Sequence, residues 1–148
     1  MSIIGVDRKL NALIRNLSPN RMRQVTGVMM DANVKNNKQQ FNLKGNGQYP
    51  PLSPKYKVQK FKKYGKKPIM VASGRLKKSV SDRQKQADSI RQHDHNGYEI
   101  GTSVPYAIYL HSPRANSNMP KRPVIFYRES DKKRNHDTLK AHILEGVR

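Results

Sequence analysis

Acidic residues are scarce in this sequence. Asp and Glu together number 10 against 30 Lys and Arg, so the 148-residue chain carries a formal charge of +20. Self-repulsion at that charge opposes compaction, and a polyanion or an acidic partner is expected nearby. Nucleic acid is the commonest such partner. Phosphate contacts carry no sequence information, however, so charge alone does not separate a reader of DNA from a protein that sits beside it. Cysteine is absent, which excludes disulfide staples, thiolate zinc sites and thiol catalysis. No apolar run approaches the roughly 18 residues needed to cross a bilayer. The opening MSIIGVDRKL lacks the basic region, apolar stretch and small-residue cleavage site of a signal peptide. The expected setting is therefore the cytoplasm, or a particle assembled there. Hydrophobic residues make up 34% of the chain, below the usual share for a globular domain. The core is expected to be thin and to be completed against neighbouring subunits.

What is present reads as an α+β domain. Val6, Leu10, Leu13, Ile14 and Leu17 recur at spacings of three and four, one stripe of a short amphipathic helix. Ser18-Pro19 interrupts it, Ser18 suiting an N-cap and Pro19 the first helical position. A second helix follows with Met22, Val25, Met29 and Ala32 on one face and Gly27 in its middle, and its end dissolves into Asn and Gln. Both helices are expected to pack on a sheet or on a neighbour. From 42 to 68, Gly45, Gly47, Pro50, Pro51, Pro54, Gly65 and Pro68 punctuate the chain too often for regular structure. So long an irregular stretch is normally functional or an arm, and an extended arm that orders against a partner is expected.

Beyond Pro68, Ile69-Met70-Val71 is a short apolar run, 73–76 suits a turn with a short helix, and 79–92 suits an edge-like strand. Asn96-Gly97 signals a hairpin with a type I′ turn, after which Tyr98, Ile100 and Thr102 alternate on the returning strand. Residues 105–110 suit a short helix and 112–118 a polar loop; Pro120 and Pro123 then bracket a turn into the apolar strand Val124-Ile125-Phe126-Tyr127. The C-terminus reads as a helix capped by Ser130 or Asp131, with His136, Leu139, Ile143 and Val147 in a narrow seam. The predicted organisation is an N-terminal helical segment (1–41), an extended basic arm (42–68) and an α+β core (69–148) with a small, mainly antiparallel sheet, together one domain.

The arm holds the densest charge. No Asp or Glu occurs from Asn33 to Ser81, and Lys55, Lys57, Lys60, Lys62, Lys63, Lys66 and Lys67 interleave with Tyr56, Phe61 and Tyr64. This is the composition of a phosphate-tracking surface with stacking platforms. The cations are mostly Lys, diffuse point charges rather than the bidentate readers of guanine that Arg supplies, which suggests contact independent of sequence. Two roles fit equally: an arm lining a DNA path, and an arm anchored on a neighbouring subunit.

Chemistry is sparse elsewhere. His93-Asp94-His95 is the one cluster that resembles a metal site, but on a strand His93 and His95 share a face while Asp94 points away. A polar turn ahead of Asn96-Gly97 is the simpler reading. His111, among Tyr106, Tyr109 and Leu110, suits a packed or interface histidine, and His136 and His142 are spaced wrongly for one helix face. Gly-rich phosphate loops, nucleophile elbows and HExxH are absent. Neither catalysis nor a cofactor or metal is expected.

Four segments in order carry a family resemblance. They are Gln48-Tyr49-Pro50-Pro51-Leu52-Ser53; the run Pro68 to Ser79 with its Ser73-Gly74-Arg75-Leu76; the run Ile100 to His111 with Gly101-Thr102 and Tyr106-Ala107; and Met119-Pro120-Lys121-Arg122-Pro123-Val124-Ile125-Phe126. Together they resemble the phage virion morphogenesis family, the tail-completion or head–tail joining proteins of tailed bacteriophages. Tyr49 stands where a Trp is common, and Ser112-Pro113 replaces a Gly. The resemblance implies a homo-oligomeric ring, hexameric, around the DNA channel of the virion neck, assembled in the host cytoplasm, with an α+β fold and no catalysis. Its partners would be further copies of itself, connector proteins and tail tube or sheath proteins, with genomic DNA in the channel and no membrane. The structural residues it implies are Gly74, Leu76, Gly101, Tyr106, Ala107, His111, Pro120, Arg122 and Pro123. Gly74 and Gly101 would allow turns, and Pro120 and Pro123 would fix φ ahead of a strand. A free-standing, sequence-nonspecific nucleic-acid-binding protein also fits the charge, and a nuclease using His93, Asp94 and His95 is the remaining alternative.

Overall fold

A computed structural model describes residues 3–43, 49–82, 84, 86–112 and 119–147, with side chains from Val6 onward. Lys44, Gly45, Gly47 and Gln48 of the expected arm, and the expected polar loop at 113–118, lie outside the described residues. The elements are α1 (Ile3–Asn16), α2 (Pro19–Asn42), α3 (Pro54–Tyr64), α4 (Arg75–Ser81), β1 (Ser89–His93), β2 (Tyr98–Thr102), α5 (Ala107–His111) and α6 (Glu129–Ile143). The fold is α+β, with β1 and β2 forming a two-stranded antiparallel sheet. No helix among the described residues is long and apolar enough to cross a membrane.

Contacts group the chain into two compact units, Met1–Asn33 with Gln92–Glu99 and Tyr127–Arg148, and Val34–Arg91 with Ile100–Phe126. The first unit is held largely by polar groups. α1 packs on α6, and the contact is fastened by Asn16, which is fully buried. Its Nδ2 donates to the carbonyls of Ile143 (3.1 Å) and Glu145 (2.8 Å), and its own carbonyl accepts from His142 Nε2 at 3.2 Å. The apolar stripe of α1 is expected to pack on a sheet or on a neighbour. Within this chain most of it is left uncovered: Ala12 and Asn16 are buried and Leu13 is half-buried, while Val6, Leu10, Ile14 and Leu17 are 51%, 54%, 62% and 52% exposed. Asn16 supplies side-chain hydrogen bonds to the contact with α6, and those four aliphatic side chains remain exposed.

Elsewhere in this unit, Asn33 of α2 donates to the Tyr98 hydroxyl, and Asn135 of α6 donates to the hydroxyls of Tyr98 (2.6 Å) and Tyr127 (3.2 Å). Arg134 donates to Asn33 Oδ1 at 2.7 Å and to Asp131 Oδ1 at 3.0 Å. The expected cap of α6 shifts accordingly. Arg128 occupies the N-cap position, and Asp131, at the third helical residue, accepts the Arg128 backbone N–H at 3.0 Å. The seam of α6 is polar at its start: Asp131 and Asn135 are buried, whereas His136 is exposed.

The hairpin forms where Asn96-Gly97 predicts one, but its turn is not type I′. Gly97 is not among the glycines with positive φ, which type I′ requires at both central residues. Instead, the Asp94 N–H donates to the Gly97 carbonyl at 2.9 Å, and Asp94 Oδ1 accepts the N–H groups of Asn96 (2.8 Å) and Gly97 (2.9 Å). Those backbone donors hold the Asp94 carboxyl below the usual carboxylate range. His93 lies over Gly27 of α2, where an added Cβ would come within 3.1 Å of its Nε2. Gly27 is thus a point of close approach.

The second unit carries the apolar core: Phe41, Leu76, Val80, Val104, Ala107 and Val124, with Met70, Val71, Leu110 and Ile125 packed around it. The Asn and Gln tract expected to end the second helix continues it instead to Asn42. Asn37 and Gln40 are buried beside Val34 and Phe41 on the helix interior. Asn37 Oδ1 accepts the Phe126 N–H at 3.2 Å, so a polar side chain serves there as a backbone partner. The expected strand over 79–92 is not continuous: α4 runs to Ser81 and β1 begins at Ser89, where Ser89 Oγ donates to the Ser79 carbonyl at 2.6 Å and the Ser79 and Thr102 hydroxyls lie 2.7 Å apart. Gly101 lies within β2 rather than in a turn. A Cβ there would meet Ile90 at 3.2 Å, so the glycine serves close packing across the hairpin. Gly74 does use its freedom, with φ +88 at the N-cap of α4. Val124 to Tyr127 form no strand. That segment is held instead by side chains, Asn37 at the Phe126 N–H and the Tyr49 ring beside that of Phe126.

Candidate functional site

The segment expected to be an extended arm contains a three-turn helix, α3. Residues that break regular structure in its interior delimit it here. Ser53 is the N-cap, its Oγ accepting the Tyr56 N–H at 3.4 Å, Pro54 opens the helix, and Gly65, at φ +70, closes it with its N–H donating to Phe61. Helical periodicity then sorts the charge. Tyr56, Lys60 and Tyr64 recur every four residues on one face, and Lys55, Val58 and Lys62 lie on the opposite face. Lys55, Lys57, Lys62, Lys63, Lys66 and Lys67 are exposed, as are Tyr56 and Phe61, while Tyr64 is half-buried. Lys60 departs from the expected phosphate-contacting role. It is 5% exposed, and its Nζ donates to the carbonyls of Lys67 (3.4 Å), Pro68 and Ile69 (3.0 Å). All three of its N–H groups are used in folding the loop after α3.

Beneath the inner face of α3 lies an open groove of about 1010 Å³. Segments far apart in sequence supply its wall. Leu52 comes from the first of the four segments, Met70 and Leu76 from the second, Tyr106 and Leu110 from the third, and Met119 and Pro120 from the fourth. Tyr56, Lys60 and Tyr64 of α3 form the remaining side.

Two reciprocal ties fix the groove. Arg122, 7% exposed, donates from Nε and Nη2 to the Pro50 carbonyl (3.3 and 3.0 Å) and from Nη2 to the Pro51 carbonyl (3.2 Å). In return, the Tyr49 hydroxyl donates to the Pro123 carbonyl at 2.7 Å, and its ring lies 6.2 Å from that of Phe126. Proline 123 therefore presents an acceptor rather than leading into a strand. The groove is electropositive without an internal counter-charge: no Asp or Glu lines it among the described residues. Burial lowers the Lys60 pKa, with the Arg122 charge adding to the effect, and burial also lowers that of Arg122.

Burial pushes the Tyr49 phenol up to about 12. An acid whose folded pKa exceeds its unfolded value, near 10, keeps its proton longer in the native state. Between those values the unfolded chain binds fewer protons, so stability falls as pH rises through 10 to 12. The expected loss from this group is about 2–3 kcal/mol. Urea unfolding of the wild type and Tyr49→Phe at pH 9.5 and 11.5 checks it, since the substitution should remove that part of the decline. Lys60 contributes with opposite sign, its lowered pKa relieving a cost as pH rises.

Leu76 and Ala107 are in the core. Tyr106 sits at the N-cap of α5 and is exposed, and Pro120 is half-buried at the groove. His111 was expected to be packed or at an interface; within this chain it is exposed at the end of the short helix α5. His93, Asp94 and His95 do not converge: His93 covers Gly27, Asp94 closes the turn and His95 is exposed. Among the described residues no group of three His, Cys, Asp or Glu is placed to hold a metal ion. No sequence motif marks the groove. Leu52, Met70 and Met119 carry no chemical signature, and their segments meet through the apolar core and the long-range ties of Tyr49 and Arg122. Comparison of the chain with protein-family models, curated proteins and solved structures finds no match.

Proposed function

We propose that this chain is a non-catalytic structural subunit of a tailed-phage virion, a tail-completion or head–tail joining protein that closes with copies of itself into a ring around the DNA channel. The observation that carries this is the exposed apolar face of α1. Val6, Leu10, Ile14 and Leu17 fall within an arc of about 80° at 100° per residue, and each is more than half exposed. A contiguous apolar patch of this kind marks an interaction surface. Among the described residues, ten hydrophobic side chains are buried and fifteen large ones are exposed, which suits a core finished by assembly. Closed symmetry lets identical copies satisfy one such face repeatedly, and a duplex in the central passage would balance the +20 charge.

Deleting the gene from the phage that carries it should leave filled heads and complete tails unjoined in electron micrographs. Restoring the wild-type chain should rejoin them. Normal infectious particles without the protein would end the proposal. The exposed lysines of α3, flanking exposed Phe61, favour one alternative, a free-standing nucleic-acid-binding protein. That alternative requires duplex binding by the isolated chain that weakens steeply with salt.

A further inference from the structure

We infer that the groove beneath α3 receives a short segment of a different protein, one carboxylate set between apolar or aromatic side chains, with Arg122 taking the carboxylate. The inference is independent of ring formation. It rests first on charge. Arg122 and Lys60 are 7% and 5% exposed, and their hydrogen bonds go to backbone carbonyls. Such bonds satisfy donors without neutralising charge, and a buried cation without a counter-ion is costly. Lys60 has used its three N–H groups. Arg122 has not: its bonds leave from Nε and Nη2, and Nη1 makes none among the described residues. A carboxylate is the group a guanidinium edge pairs with best.

The wall fixes the rest of the ligand. Leu52, Met70, Leu110 and Met119 offer apolar contact, and Tyr56 and Tyr106 offer aromatic faces with hydroxyls. At about 1010 Å³ and open to solvent, the groove lies at the upper limit of small-molecule sites, roughly 300–1,000 Å³. It therefore suits a chain segment. Nucleic acid fits less well. A phosphate backbone calls for successive cations along its path, and the exposed Lys55, Lys62 and Lys63 do not line this groove. A second copy is also disfavoured, since the chain has 10 acidic residues against 30 basic ones.

The test is selection from a random heptapeptide library against the full chain at physiological salt, followed by fluorescence polarisation with the enriched peptides. We expect enrichment of peptides with a central Asp or Glu between apolar residues, and at least tenfold weaker binding when that acid becomes its amide. Met119→Glu should also weaken binding at least tenfold, by placing a competing carboxylate at the groove. Met119 is 45% exposed, so this variant folds even where Arg122→Met does not. Replacing Lys55, Lys57, Lys62 and Lys63 with Gln should change binding less than threefold, and the oligomeric mass should be unchanged by Met119→Glu. Four results would each overturn the inference: no acid-centred enrichment; acid binding that survives Met119→Glu but fails without the α3 lysines; displacement of the peptide by an oligothymidylate; or a change in oligomeric mass with Met119→Glu, which would make a second copy the occupant.

Discussion

Asp131→Ala is expected to destabilise the protein by about 3 kcal/mol. Asp131 is 2% exposed, and its two carboxylate oxygens have separate tasks. Oδ2 accepts the Arg128 N–H, closing the first turn of α6, and Oδ1 accepts from Arg134 Nη1, both at 3.0 Å. Loss of a helix cap costs about 1 kcal/mol. Breaking an ion pair whose carboxylate is buried costs up to 3–5 kcal/mol, less here because the Arg134 side chain is 36% exposed. The damage should spread, since Arg134 also holds Asn33, which donates to Tyr98. Asp131→Asn keeps shape and an acceptor and should cost about half as much. Urea denaturation measures both. A loss under about 1 kcal/mol for the alanine variant would mean that this polar network does not hold the first unit.

The second large effect concerns association. Leu10→Glu combined with Ile14→Glu should weaken self-association at least 100-fold while leaving the isolated chain folded. Both side chains are more than half exposed, so charge at these positions disturbs little within one chain, within about 0.5 kcal/mol. In an interface the same carboxylates would be desolvated without partners, a cost of several kcal/mol. Sedimentation velocity across a concentration series, with far-UV circular dichroism on the same samples, separates the two effects. Unchanged association by the double variant would move the interface away from α1.

Elements were legible in the sequence where a chemical boundary marks them. Ser18-Pro19 separates α1 from α2, Asn96-Gly97 lies in the hairpin turn, and Gly74 opens α4 with positive φ. The orientation of faces was not. Periodicity marks an apolar stripe but not what covers it: α2 buries Thr26, Asn33, Asn37 and Gln40 among its apolar residues, and four of the five residues of the α1 stripe are exposed. Side-chain amides can be buried when they find specific partners, as Asn16, Asn33 and Asn37 do, and no periodicity reveals those partners. Around α3, one residue type serves two purposes: Pro54 and Gly65 punctuate a loop and equally delimit a helix. The lysine run hid Lys60, which only the 3.6-residue repeat distinguishes from its exposed neighbours. Four segments were legible as segments, but the groove they line depends on Tyr49 and Arg122 reaching more than seventy residues along the chain.

One copy of this chain leaves apolar surface on α1 exposed, and in the proposed ring other copies cover it. Light scattering coupled to size-exclusion chromatography, at about 100 µM and physiological salt, tests it directly. The expected result is a discrete closed oligomer, an integral multiple of 17.0 kDa with six copies. A single monodisperse species of 17.0 kDa, stable and unchanged on further concentration, would contradict it.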